Sequence, residues 1–197
     1  MKRIIYFHGF ASTGNGAKAD ALRARFGTER VLSPDLPIDP REVRAMIDSI
    51  IRCAGRDPVI LVGTSLGGFY ASYFSQRWQL PCVLVNPSTV PSQTIGSRPG
   101  TYKIFATGAD FDVRPEFSGA WANMEQEISA SLDGALVSLF LAEDDDVLPF
   151  AAALQKFGRV AFRSVTPDGG HRYSDHWDKV MSRIDALARR SADRTKQ

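Results

Sequence analysis

Short, continuous apolar runs alternate along this chain with longer segments whose apolar residues recur at helical spacing, and that alternation restricts the fold more than any single motif. The runs "RIIYF" (3–7), "RVLSP" (30–34), "PVILVG" (58–63), "PCVLVN" (81–86), "ALVSLFL" (135–141) and "RVAFRSV" (159–165) have the length and composition of strands. Mostly unbroken apolarity is what a parallel sheet covered on both faces demands. Between the runs, "AKADALRARF", "DPREVRAMIDSIIRCA", "LGGFYASYFSQRW", "LPFAAALQKFG" and "DHWDKVMSRIDALARR" read as helices, the second opening on Pro40, Arg41 and Glu42. The order predicts an α/β fold: a doubly wound, mostly parallel sheet of about six strands with right-handed crossovers and helices on both faces.

A chain of 197 residues, 44% of them hydrophobic, can bury about 70% of its unfolded surface. We therefore expect one domain over 1–197, interrupted at about 87–134 by an insertion rich in proline and glycine, with one helix near 116–130. So long an interruption in a compact domain is usually functional, and it is expected to overhang the site. Lys plus Arg (24) nearly balance Asp plus Glu (22), which leaves no basic footprint for nucleic acid. Too few apolar residues follow Met1-Lys2-Arg3 for a signal peptide, and no later run reaches membrane-spanning length. Cys53 and Cys82 both fall inside apparent regular elements and read as buried, reduced thiols. The expected setting is the cytoplasm, with no membrane partner; the sequence does not bear on oligomeric state.

The stretch "VILVGTSLGGF" places Gly63-Thr64-Ser65-Leu66-Gly67 where a strand hands over to a helix. Ligands of open α/β sheets bind beyond the carboxyl ends of the strands. A serine hydroxyl becomes a nucleophile there when a strained turn exposes it beside a base, and flanking glycines let strand and helix backbones close around that turn. Gly-x-Ser-x-Gly arises by chance in about one chain in ten of this length, so placement carries the inference. The competing reading, a phosphate-cradling turn, lacks the Lys-Ser/Thr pair that would follow the second glycine.

A base must follow. Of three histidines, His8 stands before the serine, His176 falls in the last expected helix, and His171 lies in "TPDGGHRY" directly after the last strand. His171 is the expected base. A carboxylate must orient it, and Glu143-Asp144-Asp145-Asp146 follows the fifth run; Asp145, at the turning point of "DDDVLPF", is the choice, with Asp144 and Asp146 left open. Asp168 competes by proximity, but within Pro167-Asp168-Gly169-Gly170 an aspartate serves the turn. The oxyanion needs two N–H donors: Leu66, after the nucleophile, and Phe10, which Gly9 allows to face Ser65. His8 then organises that loop and is a candidate to face the pocket.

"HGFASTGNGAKA", "GTSLGGFYAS", "LPCVLVNPS", "DDDVLPF" and "GGHRY", in that order, resemble an α/β-hydrolase, and more closely the small bacterial YqiA/YcfP-type esterases. The resemblance runs from about Ile4 to the last helix and weakens over 91–134. It implies cleavage of acyl esters, and of acyl thioesters as a variant.

The expected protein is a serine hydrolase of the carboxylesterase or thioesterase type, acting on a small-molecule acyl ester or thioester through Ser65, His171 and Asp145, with no metal or organic cofactor. Trp121, Phe111 and His8 are candidates for the substrate pocket. Phe105, Phe111, Phe117, Trp121 and Met124 can equally form a satellite core that pins the insertion down. The alternatives are a peptidase using the same site and a catalytically silent binding protein on a hydrolase scaffold.

Overall fold

Each expected apolar run contributes a strand to one sheet. The computed structural model describes residues 2–55 and 57–194. In chain order the elements are β1 (Arg3–Phe7), α1 (Ala17–Phe26), β2 (Val31–Leu32), α2 (Pro40–Ala54), β3 (Val59–Thr64), α3 (Leu66–Trp78), β4 (Cys82–Val85) and α4 (Pro91–Thr94). There follow β5 (Gly100–Lys103), β6 (Asp110–Val113), α5 (Phe117–Ser131), β7 (Val137–Ala142), α6 (Phe150–Lys156), β8 (Phe162–Thr166) and α7 (Trp177–Arg194). α2 starts where Pro40 predicts, with the Asp39 carboxylate accepting the Arg41 N–H at 2.9 Å.

The six-stranded sheet runs β2-β1-β3-β4-β7-β8, and every pairing in it is parallel. Alternate side chains feed two cores. Ile5, Phe7, Leu61, Leu84 and Leu139 face α2, α3 and α5, whereas Ile4, Tyr6, Val62, Val85 and Phe140 face α1 and α7. Ile60, Leu61 and Val62 are fully buried, each worth about 1.5–3 kcal/mol relative to exposure. Register brings Phe7, Thr64, Val85, Ala142 and Thr166 to one edge. Strand order reverses beside β1, so the loops after β1 and β3 flank the crevice where such sheets bind ligands.

The stretch between β4 and β7 is more structured than expected. β5 and β6 form an antiparallel ribbon, stitched by Thr101–Asp112 at 2.7 Å and Lys103–Asp110 at 2.6 Å. In α5, Phe117, Trp121, Met124 and Ile128 recur at helical spacing and are buried in the core under α3. Cys82 is buried, but Cys53 is exposed, which corrects the expectation for it. Val43, Ile47 and Ile51 form the inward stripe of α2, and Cys53 is off that stripe. His176 precedes α7, where its ring pairs with the Asp168 carboxylate at 2.9 Å. Among the described residues, no helix is long and apolar enough to cross a membrane.

Candidate active site

Ser65 sits in the turn between β3 and α3 with φ 55° and ψ −123°, a conformation that L-residues with a Cβ rarely adopt. The flanking glycines explain how the turn survives. A Cβ on Gly63 would lie 2.1 Å from the Gly67 carbonyl oxygen, and one on Gly67 would lie 2.0 Å from that of Phe7. Serine at a helix start normally caps it through its hydroxyl; this one makes no such bond, which leaves Oγ for other partners.

The His171 loop follows β8 and turns through Gly169 and Gly170, at φ 122° and 54°. In the neutral ring, Nε2 accepts the Ser65 hydroxyl at 3.0 Å and Nδ1–H donates to both Asp145 oxygens, at 2.9 and 3.0 Å. Asp145 lies after β7, its side chain 1% exposed, and also accepts the Val147 and Leu148 N–H groups at 2.9 Å. Burial pushes the Asp145 carboxyl up, but His171 and those two N–H groups outweigh it and hold the group below the usual carboxylate range. Asp144 has a different place, accepting the Gly170 N–H at 2.8 Å, and Asp146 is exposed.

Asn86, at the end of β4, escaped sequence reasoning. Its Nδ2 donates to the Gly170 and His171 carbonyls at 2.9 and 3.2 Å, while its Oδ1 accepts the Ala142 N–H at 2.9 Å. One buried amide thus ties the histidine loop to the strand that delivers Asp145. The only signal in sequence was its position at a strand's carboxyl end before Pro87.

The loop after β1 passes against the serine: a Cβ on Gly9 would stand 3.3 Å from that of Ser65. Among the described residues, neither the Phe10 nor the Leu66 N–H donates a hydrogen bond. His8 is buried, with Nδ1–H donating to the Gly9 carbonyl at 2.9 Å and Nε2 accepting the Leu36 N–H at 3.0 Å. Burial holds its pKa below the ordinary histidine value, so the ring stays neutral and braces the loop. The β5–β6 ribbon clamps Phe10, whose ring meets those of Tyr102 and Phe111 edge-on at 5.1 and 5.4 Å.

Residues 3–188 match a family described as an uncharacterised protein family, UPF0227. The chain belongs to the UPF0227 family. A UPF0227 protein of Pectobacterium carotovorum is 32% identical over 112 residues, covering 53% of this chain and 62% of that protein. The chain thus spans less than two thirds of that relative's length. Among solved structures, it resembles mouse alpha/beta hydrolase domain-containing protein 10, with TM-score 0.71, 18% identity and 95% and 89% of the two chains covered. Est1E from Butyrivibrio proteoclasticus gives 0.72 at 12% identity, covering 98% and 88%. A monoacylglycerol lipase from Paleococcus ferrophilus gives 0.69 at 12%, covering 91% and 92%. These likenesses show the α/β-hydrolase fold.

Two cavities border the serine of this UPF0227 chain, and a third lies beside them. One, of about 340 Å³, holds Ser65 and His171 together with Tyr6, Lys18, Phe105 and Arg172. A second, of about 500 Å³, opens on the other side of Ser65 and is lined by Leu66, Ile95, Tyr102, Val147, Leu148 and the exposed Arg98. The third, of about 230 Å³, lies behind the Phe10 loop against His8, Leu36, Tyr70 and Phe111. Of the expected pocket residues, His8 and Phe111 line that third cavity. Trp121 lines none of them: it is fully buried, packed on Phe117, and its Nε1–H donates to the Tyr70 hydroxyl at 2.9 Å. Its expected role is corrected to core packing.

Proposed function

We propose that this UPF0227 protein is a serine hydrolase that cleaves acyl esters, with acyl thioesters as a chemical variant of the same cycle. The observation that carries this reading is the relay from Ser65 Oγ through His171, at 3.0 Å, to the buried Asp145, at 2.9 Å. Ser65 Oγ attacks the acyl carbonyl as His171 Nε2 takes its proton, and Asp145 stabilises the imidazolium. The Phe10 and Leu66 N–H groups, left without other acceptors, receive the oxyanion, where such donors contribute about 2.7–4 kcal/mol each. His171 passes the proton to the leaving oxygen or sulfur, and an acyl-Ser65 ester remains. Water, deprotonated by His171, then attacks the acyl carbon, the acyl–Oγ bond breaks, His171 returns the proton to Ser65 Oγ, and the acid leaves. The cycle uses side chains, backbone N–H groups and water alone.

Est1E is also known with ferulic acid bound, and together with the lipase neighbour it favours esters as the first substrates to try. The deciding experiment is mass spectrometry after fluorophosphonate treatment of wild type, Ser65→Ala and His171→Ala. A single adduct on Ser65, absent from Ser65→Ala and slowed about a hundredfold or more in His171→Ala, is the expected result. Folded wild type that takes up no adduct overturns the reading in favour of a silent binding protein.

A further inference from the structure

Two positive side chains line the nucleophile's cavity with no counter-charge. Lys18, on the first turn of α1, lies over the Trp177 ring at 5.4 Å, and Arg172 follows His171 directly. Among the described residues, neither makes a salt bridge. Other cations are paired, such as Arg77 with Asp48 at 3.0 Å and Arg25 with Asp185 at 2.7 Å, while Arg98, at the mouth of the second cavity, is exposed. Burial, and then the charge of Arg172, push the Lys18 pKa down to about 8. The folded protein therefore holds a partly buried ammonium near an exposed guanidinium in one cavity, an arrangement that an anion bound there would relieve. Ser12, Thr13 and Ser174 also line this cavity.

The position of His171 says which part of a substrate enters. Ser65 borders both large cavities, but His171 lines only the one with Lys18 and Arg172. A leaving group must receive its proton from His171 Nε2, so it departs on that side. The acyl chain is left the other cavity, lined by Leu66, Ile95, Tyr102, Val147 and Leu148 with Arg98 exposed at its edge, and a charge placed on the acyl side reads that arginine's effect.

We infer that the natural substrate is an ester or thioester whose leaving group carries an oxyanion, a carboxylate or a phosphate, bound by Lys18 and Arg172 in the cavity shared with Ser65 and His171. The inference rests on the reading of Ser65 as the nucleophile. In the acylation step the Ser65 Oγ–acyl bond forms, the bond from acyl carbon to the leaving oxygen or sulfur breaks, and the Ser65 proton passes through His171 to that atom. The released alcohol or thiol keeps its anionic group unchanged.

The test compares kcat/KM for 4-carboxyphenyl butanoate and 4-(phosphonomethyl)phenyl butanoate with that for the neutral 4-carbamoylphenyl butanoate. Mono-(4-nitrophenyl) succinate against 4-nitrophenyl butanoate places the charge on the acyl side. We expect at least about a tenfold preference for one or both anionic leaving groups, as charge-assisted hydrogen bonds give, with the better probe telling carboxylate from phosphate. In Lys18→Met, and in Arg172→Gln at an exposed position, the ratio of anionic to neutral kcat/KM falls severalfold. Equal kcat/KM for charged and neutral esters, a ratio unchanged in both variants, or a preference confined to the acyl-side charge overturns the inference. Calorimetry of 4-hydroxybenzoate and (4-hydroxybenzyl)phosphonate against 4-hydroxybenzamide on Ser65→Ala protein reads the same site without turnover. Tighter binding of an anion that Lys18→Met abolishes supports the anion site even where Ser65 takes no fluorophosphonate, whereas equal binding of all three overturns it.

Discussion

Asp144 and Asp145, adjacent in the chain, grip the histidine loop at two points: one carboxylate accepts the Gly170 N–H at 2.8 Å, the other the His171 Nδ1–H at 2.9 Å. Their substitutions should therefore separate. Asp145→Asn puts an amide where His171 needs an acceptor, and kcat on 4-nitrophenyl butanoate should fall about 10³- to 10⁴-fold. Asp144→Asn keeps an oxygen for Gly170 and should cost less than about tenfold. Equal losses would mean that Asp145 only holds the loop.

Lys18 should also leave a signature in stability. Its folded pKa, about 8, lies below the ordinary value of 10.5, so between those pH values the unfolded chain binds more protons and stability rises with pH. Below pH 8 the full penalty is present. Lys18→Met removes it and should stabilise the ligand-free protein by about 1–2 kcal/mol at pH 7, with the gain shrinking by pH 10.5. Tyr6 borders the same cavity but stays protonated over this window, since burial pushes its phenol up to about 12. Urea midpoints of both proteins at the two pH values supply the check.

Glycines 67 and 119 both belong to helices and should respond oppositely to alanine. At Gly67 the new Cβ would meet the Phe7 carbonyl at 2.0 Å, whereas at Gly119 nothing lies within 4 Å. Thermal unfolding should show Gly67→Ala destabilised by about 3 kcal/mol or more. Gly119→Ala should gain about 0.5–1 kcal/mol.

Asn86→Leu removes an acceptor from Ala142 N–H and a donor from two loop carbonyls. The unpaired buried groups should cost about 1–3 kcal/mol in unfolding. Asn86 is a positioning residue, so kcat should drop while KM for 4-nitrophenyl butanoate stays within about twofold. A fall in stability alone would assign it to the fold.

The two thiols should titrate apart. Ellman's reagent ought to reach one cysteine in the native protein, Cys53, which is exposed, and the second only in denaturant. Cys82 is buried, with its thiol pushed up to about 12 by that burial.

The sheet was legible because its strands are covered on both faces, so that "VILV" can be read without knowing its neighbours. Ser65 was legible for a related reason: its glycines are demanded by backbone approaches of about 2 Å, and such demands leave few substitutes. The β5–β6 ribbon was not, because its strands are short and largely exposed, stabilised by cross-strand pairs that no periodicity announces. Trp121 reads as pocket or core until α5 has a partner; its spacing from Phe117, Met124 and Ile128 is the core signal. Lys18 and Arg172 lie more than a hundred residues apart, and only the docking of α1 against the start of α7 brings them to one cavity.

The excursion between β4 and β7 leaves one strand and returns to its direct neighbour in the sheet. Strand order is thus indifferent to its length. Its α5 half is owed to the core through Trp121 and Ile128, and the ribbon half is anchored by Val113, buried in the same core, and by contacts with Phe10 and Ala11. The ribbon can therefore change at its exposed tip without re-threading the sheet, provided that Val113 and the rings packed on Phe10 are kept.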